Sequence, residues 1–265
     1  MGADPLPQPA AQGNSVTRLG VIAPLPAEAR CFIGRRVRPG ELLSLPGGGW
    51  LKVSGIGNAR ASRAAEELAE RGATALLSWG TAGGLDQSLR PGSVIVPKRV
   101  LRTEGPSLLV DAEWRDALWR VLAGHVSLCD GAIVESPDVL ACPQDKAMLS
   151  QRFGAVAVDM ESDAIGIVAQ QLGMPFMAVR VVVDPGWQSL PSAALKAVDG
   201  DGHMLLRRLL VDLARQPSQL VALARLAAQF RTAQAALRTI ATVAMPVLRG
   251  PPVSAISLVH SARHP

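Results

Sequence analysis

The sequence predicts an α/β layered fold, because short apolar segments alternate along the chain with stretches of helical periodicity. The clearest apolar segment is Phe176–Val183, a nearly continuous β-branched run of the kind found in strands covered on both faces. The clearest helical stretch is 58–71, which begins at Asn58, a residue type favoured at N-caps, and is followed by Gly72. With 265 residues, 48% of them hydrophobic, the chain is long enough to bury one sizeable core.

The other elements follow the same alternation. Five short apolar runs predict further strands, and in chain order they are Leu19–Ala23, Trp50–Val53, Ala75–Ser78, Ser93–Val96 and Ala155–Val158. Two further helices are predicted, over 111–123 and over 159–173, the second ending at Gly173. Since ligands of such folds gather at the carboxyl ends of the strands, the positions after Ala23, Ser78, Val158 and Val183 are the candidate site.

Polar residues follow all four of these strands. They are Glu28, then Thr81 with Gly83–Gly84, then the run Asp159, Met160 and Glu161, and finally Asp184. Each has a simpler interpretation, since an acidic residue at a helix start is often a cap and a Gly-Gly pair is often a turn. The segment 54–58 resembles the start of a dinucleotide fingerprint but lacks its third glycine. Four polar strand ends together favour a binding site more than any one alone.

Composition excludes several classes of protein. Aromatic residues make 3% of the chain and tyrosine is absent, so the net charge of +5 does not by itself indicate a nucleic-acid partner. The three cysteines, Cys31, Cys129 and Cys142, show no C-x-x-C spacing, which argues against a disulfide framework or a metal site and for a reducing compartment. The first residues lack a signal-peptide pattern, and no apolar run approaches the roughly 20 residues of a spanning helix. We therefore expect a cytoplasmic protein.

Four segments resemble the nucleoside phosphorylase/nucleosidase superfamily. They are SWGTAGGL at 78–85, SVIVP at 93–97, AVDMES at 157–162 and VRVVVD at 179–184. The likeness runs from about Leu19 to Arg215 and is closer to the branch that contains methylthioadenosine/S-adenosylhomocysteine nucleosidase. The C-terminal extension looks most like that of hopanoid-associated phosphorylases. The resemblance implies a three-layer α/β/α fold with a mixed central sheet, and cleavage of the N-glycosidic bond of a purine nucleoside.

The resemblance also implies a role for individual residues. The implied catalytic residues are Glu28, Asp184 and Arg180, and the implied substrate-binding residues are Thr81, Gly83, Leu140, Ala141, Met160 and Glu161. Glu28 matches the carboxylate that activates water, helped by Thr81 and Arg180. Asp184 matches the acid that protonates purine N7, a role that suits a carboxyl with a raised pKa at the end of an apolar strand. Glu161 matches the residue that holds the ribose hydroxyls, and Met160 the one that packs on the sugar.

This sequence departs from the family pattern at two positions. Leu140 stands where the nucleosidases carry an aromatic against the base, which weakens stacking and leaves purine selectivity open. Val183 stands where a serine often precedes the catalytic aspartate, so Asp184 lacks one hydrogen-bond donor. The resemblance implies neither a metal nor a cofactor, although inorganic phosphate would be a co-substrate in a phosphorolytic reaction.

The nucleophile and the substrate both have alternatives. Glu28 favours water, because a carboxylate would repel a phosphate anion at the same place. Arg30, Arg35 and Arg36 are close in sequence and keep phosphorolysis open. The expected substrate is adenosylhopane, a lipid-linked nucleoside that would lose adenine in hopanoid biosynthesis. The alternatives are a small soluble nucleoside (methylthioadenosine, S-adenosylhomocysteine or futalosine) and, outside enzymes, a nucleotide-binding module.

The chain divides into a flexible tail (1–17), a catalytic domain (18–215) and a basic amphipathic helical extension (216–265). From residue 203 onward eight arginines face one acid, giving +7, whereas the preceding 202 residues sum to −2. A basic amphipathic helix can lie on an anionic membrane surface, which would make the protein peripheral on the inner face. The alternative is that the helix packs on its own domain or on a second subunit of a homo-oligomer.

Overall fold

One mixed sheet organises the part of the chain that the computed structural model describes, namely residues 17–192, 194 and 219–251. Its strands are β1 (Leu19–Ala23), β2 (Leu42–Ser44), β3 (Gly49–Val53), β4 (Ala75–Gly84), β5 (Val94–Ile95), β6 (Arg99–Leu101), β7 (Leu108–Leu109), β8 (Leu128–Cys129), β9 (Ile133–Glu135), β10 (Ala157–Asp159) and β11 (Phe176–Asp184). The helices are α1 (Pro26–Ile33), α2 (Asn58–Glu70), α3 (Ala112–Leu122), α4 (Pro143–Phe153), α5 (Ser162–Gln171), α6 (Gln219–Val243) and α7 (Met245–Leu248).

Strand β4 is the centre of this sheet. It pairs in parallel with β1 over its first half and with β11 along most of its length, while β10 pairs antiparallel to its last residues, Gly83 and Gly84. Every residue of β1 and β11 is buried, as expected for strands with helices on both faces. The ends of β1, β4, β10 and β11 therefore lie close together.

The helices form two groups on the sheet. Helices α2 and α5 pack on each other and on β1, β4 and β11, while α1 and α6 pack on each other and also reach β4 and β11 respectively. The main hydrophobic core includes residues of both groups, such as Ala65 of α2, Ile165 of α5, Phe32 of α1 and Leu237 of α6. The predicted three-layer α/β/α fold with a mixed central sheet is confirmed.

Several element boundaries differ from the sequence prediction, among them those of the strand predicted over Ala155–Val158, which is Ala157–Asp159. The run after Ser78, interpreted as a loop, continues β4 to Gly84 because it keeps its pairing with β11. The helix predicted from Asp159 begins instead at Ser162, since Asp159 is the last residue of β10. Asn58 is the first residue of α2 and Gly57 is its N-cap.

The predicted C-terminal extension contains α6 and α7, while residues 216–218 and 252–265 lie outside the described residues. The second half of α6 is buried at Ala233, Leu237 and Ile240, whereas Leu220 in its first turn is 52% exposed. Within the described ranges, no helix is long and apolar enough to cross a membrane. The predicted tail, 1–17, lies outside the described residues apart from Thr17.

Candidate active site

A cavity of about 170 Å³ opens where β1, β10 and β11 end and where β4 passes them. Seven of the residues predicted from the sequence line it, and they are Glu28, Thr81, Gly83, Leu140, Met160, Glu161 and Asp184. Ala141 and Arg180 do not line it. The carbonyl of Ala141 accepts a hydrogen bond from the N–H of Leu190, and Arg180 is fully buried beneath the cavity. The cavity thus joins side chains that are far apart in the sequence.

Glu28 is buried at the start of α1, a helix that begins with proline, which favours the first helical position. Its Oε1 accepts the Thr81 N–H at 2.8 Å and the Thr81 hydroxyl at 2.6 Å, and its Oε2 accepts the Leu25 N–H at 3.0 Å. A Cβ at Gly80 would lie 3.1 Å from this carboxyl group, so glycine makes room for it. Burial raises the pKa of Glu28 despite these hydrogen bonds and the nearby charge of Arg180.

Asp184 lies at the end of β11, where the pairing with β4 is irregular. Val182 pairs with Ala82, but the next pair is Asp184 with Gly83, so the register shifts between them. Such an irregularity changes the direction of the side chain that follows it. A Cβ at Gly83 would lie 3.5 Å from Asp184 Oδ2, in ordinary contact. The last residues of β4 and β11 therefore place the Asp184 carboxyl group at the cavity.

The residue that holds Asp184 is Lys146 of α4, which sequence reasoning missed. Its Nζ donates to Asp184 Oδ2 at 2.5 Å, to the Pro185 carbonyl at 3.1 Å and to the Gln188 carbonyl at 3.2 Å. Lys146 is fully buried, although lysine is almost never buried without a partner. Burial raises the pKa of Asp184, and the positive charge of Lys146 opposes that rise.

Glu161 lies between β10 and α5 and faces the same cavity. Its Oε1 accepts the backbone N–H of Gly57 at 2.9 Å, which joins the start of α2 to the site. Burial, reinforced by the negative charge of Asp159, raises the pKa of Glu161 to about 8. A cation in the cavity would favour the ionised form of this carboxyl group.

Beneath the cavity, Arg180 and Asp159 form a buried ion pair. Arg180 Nε donates to Asp159 Oδ2 at 2.6 Å, and Arg180 Nη2 donates to Ser78 Oγ at 2.6 Å and lies 4.0 Å from Glu161. Asp159 also accepts from the backbone N–H and the hydroxyl of Ser162 in the first turn of α5. Asp159 therefore combines the capping role expected of an acid at a helix start with a charge pair, and Arg180 acts on the cavity through its charge.

Comparison with known proteins agrees with this geometry. Residues 47–213 match the family model described as the Phosphorylase superfamily, a range of more than half of the 265 residues. The chain belongs to the Phosphorylase superfamily. It is 30% identical over 162 residues to the 5′-methylthioadenosine/S-adenosylhomocysteine nucleosidase of Baumannia cicadellinicola, covering 51% of this chain and 71% of that protein. It is 25% identical over 172 residues to the enzyme of the same name from Shewanella denitrificans, covering 57% and 72%.

Solved structures show the same fold at lower identity. The Neisseria meningitidis 5′-methylthioadenosine/S-adenosylhomocysteine nucleosidase superposes with a TM-score of 0.64 at 20% identity, covering 87% of this chain and 99% of that one. The futalosine hydrolase of Helicobacter pylori superposes with a TM-score of 0.62 at 15% identity, covering 88% and 97%. The predictions of the superfamily and of an enzyme of the nucleosidase and nucleoside phosphorylase class are confirmed. The narrower resemblance to hopanoid-associated phosphorylases stays a prediction.

Among the described residues, no group of three or more His, Cys, Asp and Glu side chains is arranged to hold a metal ion. The chemistry that the cavity offers is that of carboxyl groups: proton acceptance, proton donation and stabilisation of a cation.

Proposed function

We propose that the protein hydrolyses the N-glycosidic bond of a purine nucleoside. Three carboxyl groups on one cavity carry the proposal: Glu28, Glu161 and Asp184. Glu28 accepts a proton from the attacking water, Glu161 binds the ribose hydroxyls, and Asp184 gives a proton to N7 of the leaving purine. These are the groups that cleavage through an oxocarbenium-like sugar requires. A module that only binds nucleotides needs no acid for a leaving base.

The bond changes balance in a single displacement. Water oxygen bonds to the anomeric carbon as the bond from that carbon to the purine nitrogen breaks. One water proton passes to Glu28, and the proton of Asp184 passes to the purine, which leaves neutral. Glu161 takes no part in the proton transfers, and its carboxylate form stabilises the positive charge that develops on the sugar.

Water is favoured over phosphate by the charges around the cavity. Its charged lining residues, among those the structure describes, are all acidic: Glu28, Asp138, Asp159, Glu161 and Asp184. The three arginines that kept phosphorolysis open, Arg30, Arg35 and Arg36, are exposed and do not line it. Phosphate sites in proteins usually offer arginine, lysine or several main-chain N–H groups, and acidic side chains repel the anion.

For the substrate we propose adenosylhopane, which would release adenine in hopanoid biosynthesis. Support comes from the sequence resemblance and from apolar residues that line the cavity: Leu25, Ile56, Val139, Leu140 and Leu190. Val139 is 51% exposed, so the apolar lining reaches the protein surface there, as a lipid-tailed substrate requires. The alternative is a small soluble nucleoside, since the similar proteins are named for methylthioadenosine, S-adenosylhomocysteine and futalosine.

Product analysis with and without phosphate tests the substrate and the nucleophile together. The purified protein is incubated with adenosylhopane in detergent, and separately with methylthioadenosine, S-adenosylhomocysteine and futalosine. We expect adenine and an unphosphorylated ribosyl-hopane at the same rate in both buffers, and no release by Glu28→Ala. Phosphate-dependent release with a sugar 1-phosphate product would replace hydrolysis with phosphorolysis. Faster cleavage of a soluble nucleoside would replace the lipid substrate.

We also propose that the extension contacts an anionic membrane surface through the first half of α6. Leu220 and Val221 are 52% and 69% exposed there, and Arg225 and Arg231 are exposed on the same helix.

Because Leu237 and Ile240 belong to the core, deleting 216–265 would also damage the fold. The pair Leu220→Ser and Val221→Ser is the cleaner test. It should weaken sedimentation with anionic vesicles, whereas Leu109→Ser, at a residue 75% exposed on β7, should not.

A further inference from the structure

Among the residues that the structure describes, Lys146 is the buried cation in contact with the proposed acid, and each of its N–H bonds has an acceptor. An ammonium group has three N–H bonds, and Lys146 has three acceptors within 3.2 Å: Asp184 Oδ2 and the carbonyls of Pro185 and Gln188. A neutral amine has only two N–H bonds, so one of the three acceptors would receive no hydrogen bond from it. The geometry therefore fits a charged Lys146.

We propose that Lys146 is a positioning residue that orients Asp184 and strengthens it as the acid for the leaving base, an inference that rests on the proposed function. Lys146 donates to Oδ2, which favours the other oxygen, Oδ1, as the position of the acid's proton. Because Lys146 does not line the cavity whereas Asp184 does, Oδ1 is the oxygen that we expect to face a base in the cavity. The lysine thus selects which oxygen carries the transferable proton.

The charge of Lys146 also favours the transfer itself. When Asp184 gives its proton to the purine, it becomes a buried carboxylate, and the ammonium already in contact with it stabilises that product. The other charged groups oppose this, because the carboxyl groups of Glu28, Asp138, Asp159 and Glu161 line the same cavity. Arg180, on the same strand, is paired with Asp159. In the described part of the chain, Lys146 is the cation that contacts Asp184.

The test replaces Lys146 with methionine, which keeps an unbranched side chain one atom shorter and removes the charge and the donors. Loss of the positive charge raises the pKa of Asp184, so the alkaline limb of the kcat/KM profile should move to higher pH. At neutral pH kcat should fall about 10- to 100-fold, the same range as when the hydrogen-bonding partner of a metal ligand is removed from an enzyme. The matched control is Lys98→Met, at a lysine whose side chain is 68% exposed, and its profile should equal that of the wild type.

A double-mutant cycle separates positioning from a purely structural role. If Lys146 acts through Asp184, then Lys146→Met has no further effect on activity in an Asp184→Asn background. This double variant also removes both buried partners together, which protects the fold if either single variant is unstable. Equal losses in both backgrounds, or lower activity with an unmoved alkaline limb, would overturn the inference.

A carbon-13 NMR titration of the aspartate carboxyl groups reads Asp184 without any substrate, with Asp184→Asn providing the assignment. The Asp184 titration should move to higher pH in Lys146→Met. An unchanged titration overturns the inference even if the wild type cleaves nucleosides. A moved titration in a protein that cleaves none of the nucleosides supports the pairing and rejects the proposed function instead.

Discussion

The carboxyl groups of Glu28 and Asp184 lie beside the same strand, one at Gly80 and the other at Gly83 of β4, yet their surroundings differ. At Glu28, neutral N–H and O–H donors bind both oxygens. At Asp184, one ammonium group binds a single oxygen. Burial raises the pKa of both groups, so burial alone does not distinguish them.

The partners do distinguish them. Three donors aimed at Glu28 match a carboxylate that accepts hydrogen bonds, which is the form that a base must have before it takes a proton. Lys146 binds one oxygen of Asp184 and stabilises the anion that remains after proton donation. The difference in partners supports the proposal that Glu28 is the base and Asp184 the acid, and three variants test it.

The largest effect is expected for Glu28→Gln. An amide cannot accept the proton of the attacking water, so kcat should fall about 10²- to 10⁴-fold, the usual worth of a general base. The loss should be the same for a purine nucleoside and for 4-nitrophenyl riboside, because both need activated water. Steady-state kinetics on both substrates measure it. Glu70→Gln, at an exposed glutamate, is the control, and a variant that cleaves either substrate at the wild-type rate would remove Glu28 from the mechanism.

Asp184→Asn should have a selective effect. The purine needs a proton to leave, so its cleavage should fall about 10²- to 10⁴-fold. A 4-nitrophenolate leaves as an anion, so cleavage of 4-nitrophenyl riboside should stay within a few-fold of the wild type. The variant leaves Lys146 buried without its charge partner, at a cost of about 3–5 kcal/mol of stability. The double variant with Asp184→Asn and Lys146→Met is therefore measured in parallel. Equal losses of activity on the two substrates would contradict the role of Asp184 as the acid.

Local sequence pattern was enough to predict the strands that end at the site and three of the helices, although not α1 and α4, which carry Glu28 and Lys146. Leu19–Ala23 is a strand over the predicted residues, and Phe176–Val183 and 111–123 are each right to within one residue at either end. These segments carry a strong apolar pattern of their own. The extension of β4 through residues 79–84 depends on pairing with β11 and β10, which are about 70 to 100 residues away, so no local pattern shows it.

The residues of the candidate site were predicted from the sequence where they follow a predicted strand. Glu28, Glu161 and Asp184 follow apolar strands, and the carboxyl ends of strands point to a common edge. Lys146 follows no strand, and it reaches Asp184 because it lies on α4, a helix that was not predicted from the sequence. Its one sequence signal is rarity, since the chain has four lysines among 27 basic residues.

Of the three variants, Thr81→Val should have the smallest effect on activity. That effect should fall on the acid limb of the kcat/KM profile. It removes the hydroxyl donor to Glu28 but keeps the backbone N–H donors of Thr81 and Leu25. Because that hydroxyl lowers the pKa of Glu28, its loss raises the pKa further. The base must be ionised, so the acid limb of kcat/KM should move to higher pH, with about a tenfold loss below it and near wild-type activity above it.

The matched control is Thr103→Val, which removes a hydroxyl that donates at 3.0 Å to Glu135, a buried carboxyl group that does not line the cavity. Both variants exchange the same atoms and both leave a buried carboxyl group with one donor fewer. Only a change at Glu28 should move the acid limb, just as only a change at Lys146 should move the alkaline limb. An acid limb that stays in place in Thr81→Val, or that moves equally in Thr103→Val, would show that Glu28 is not the group whose ionisation limits the reaction.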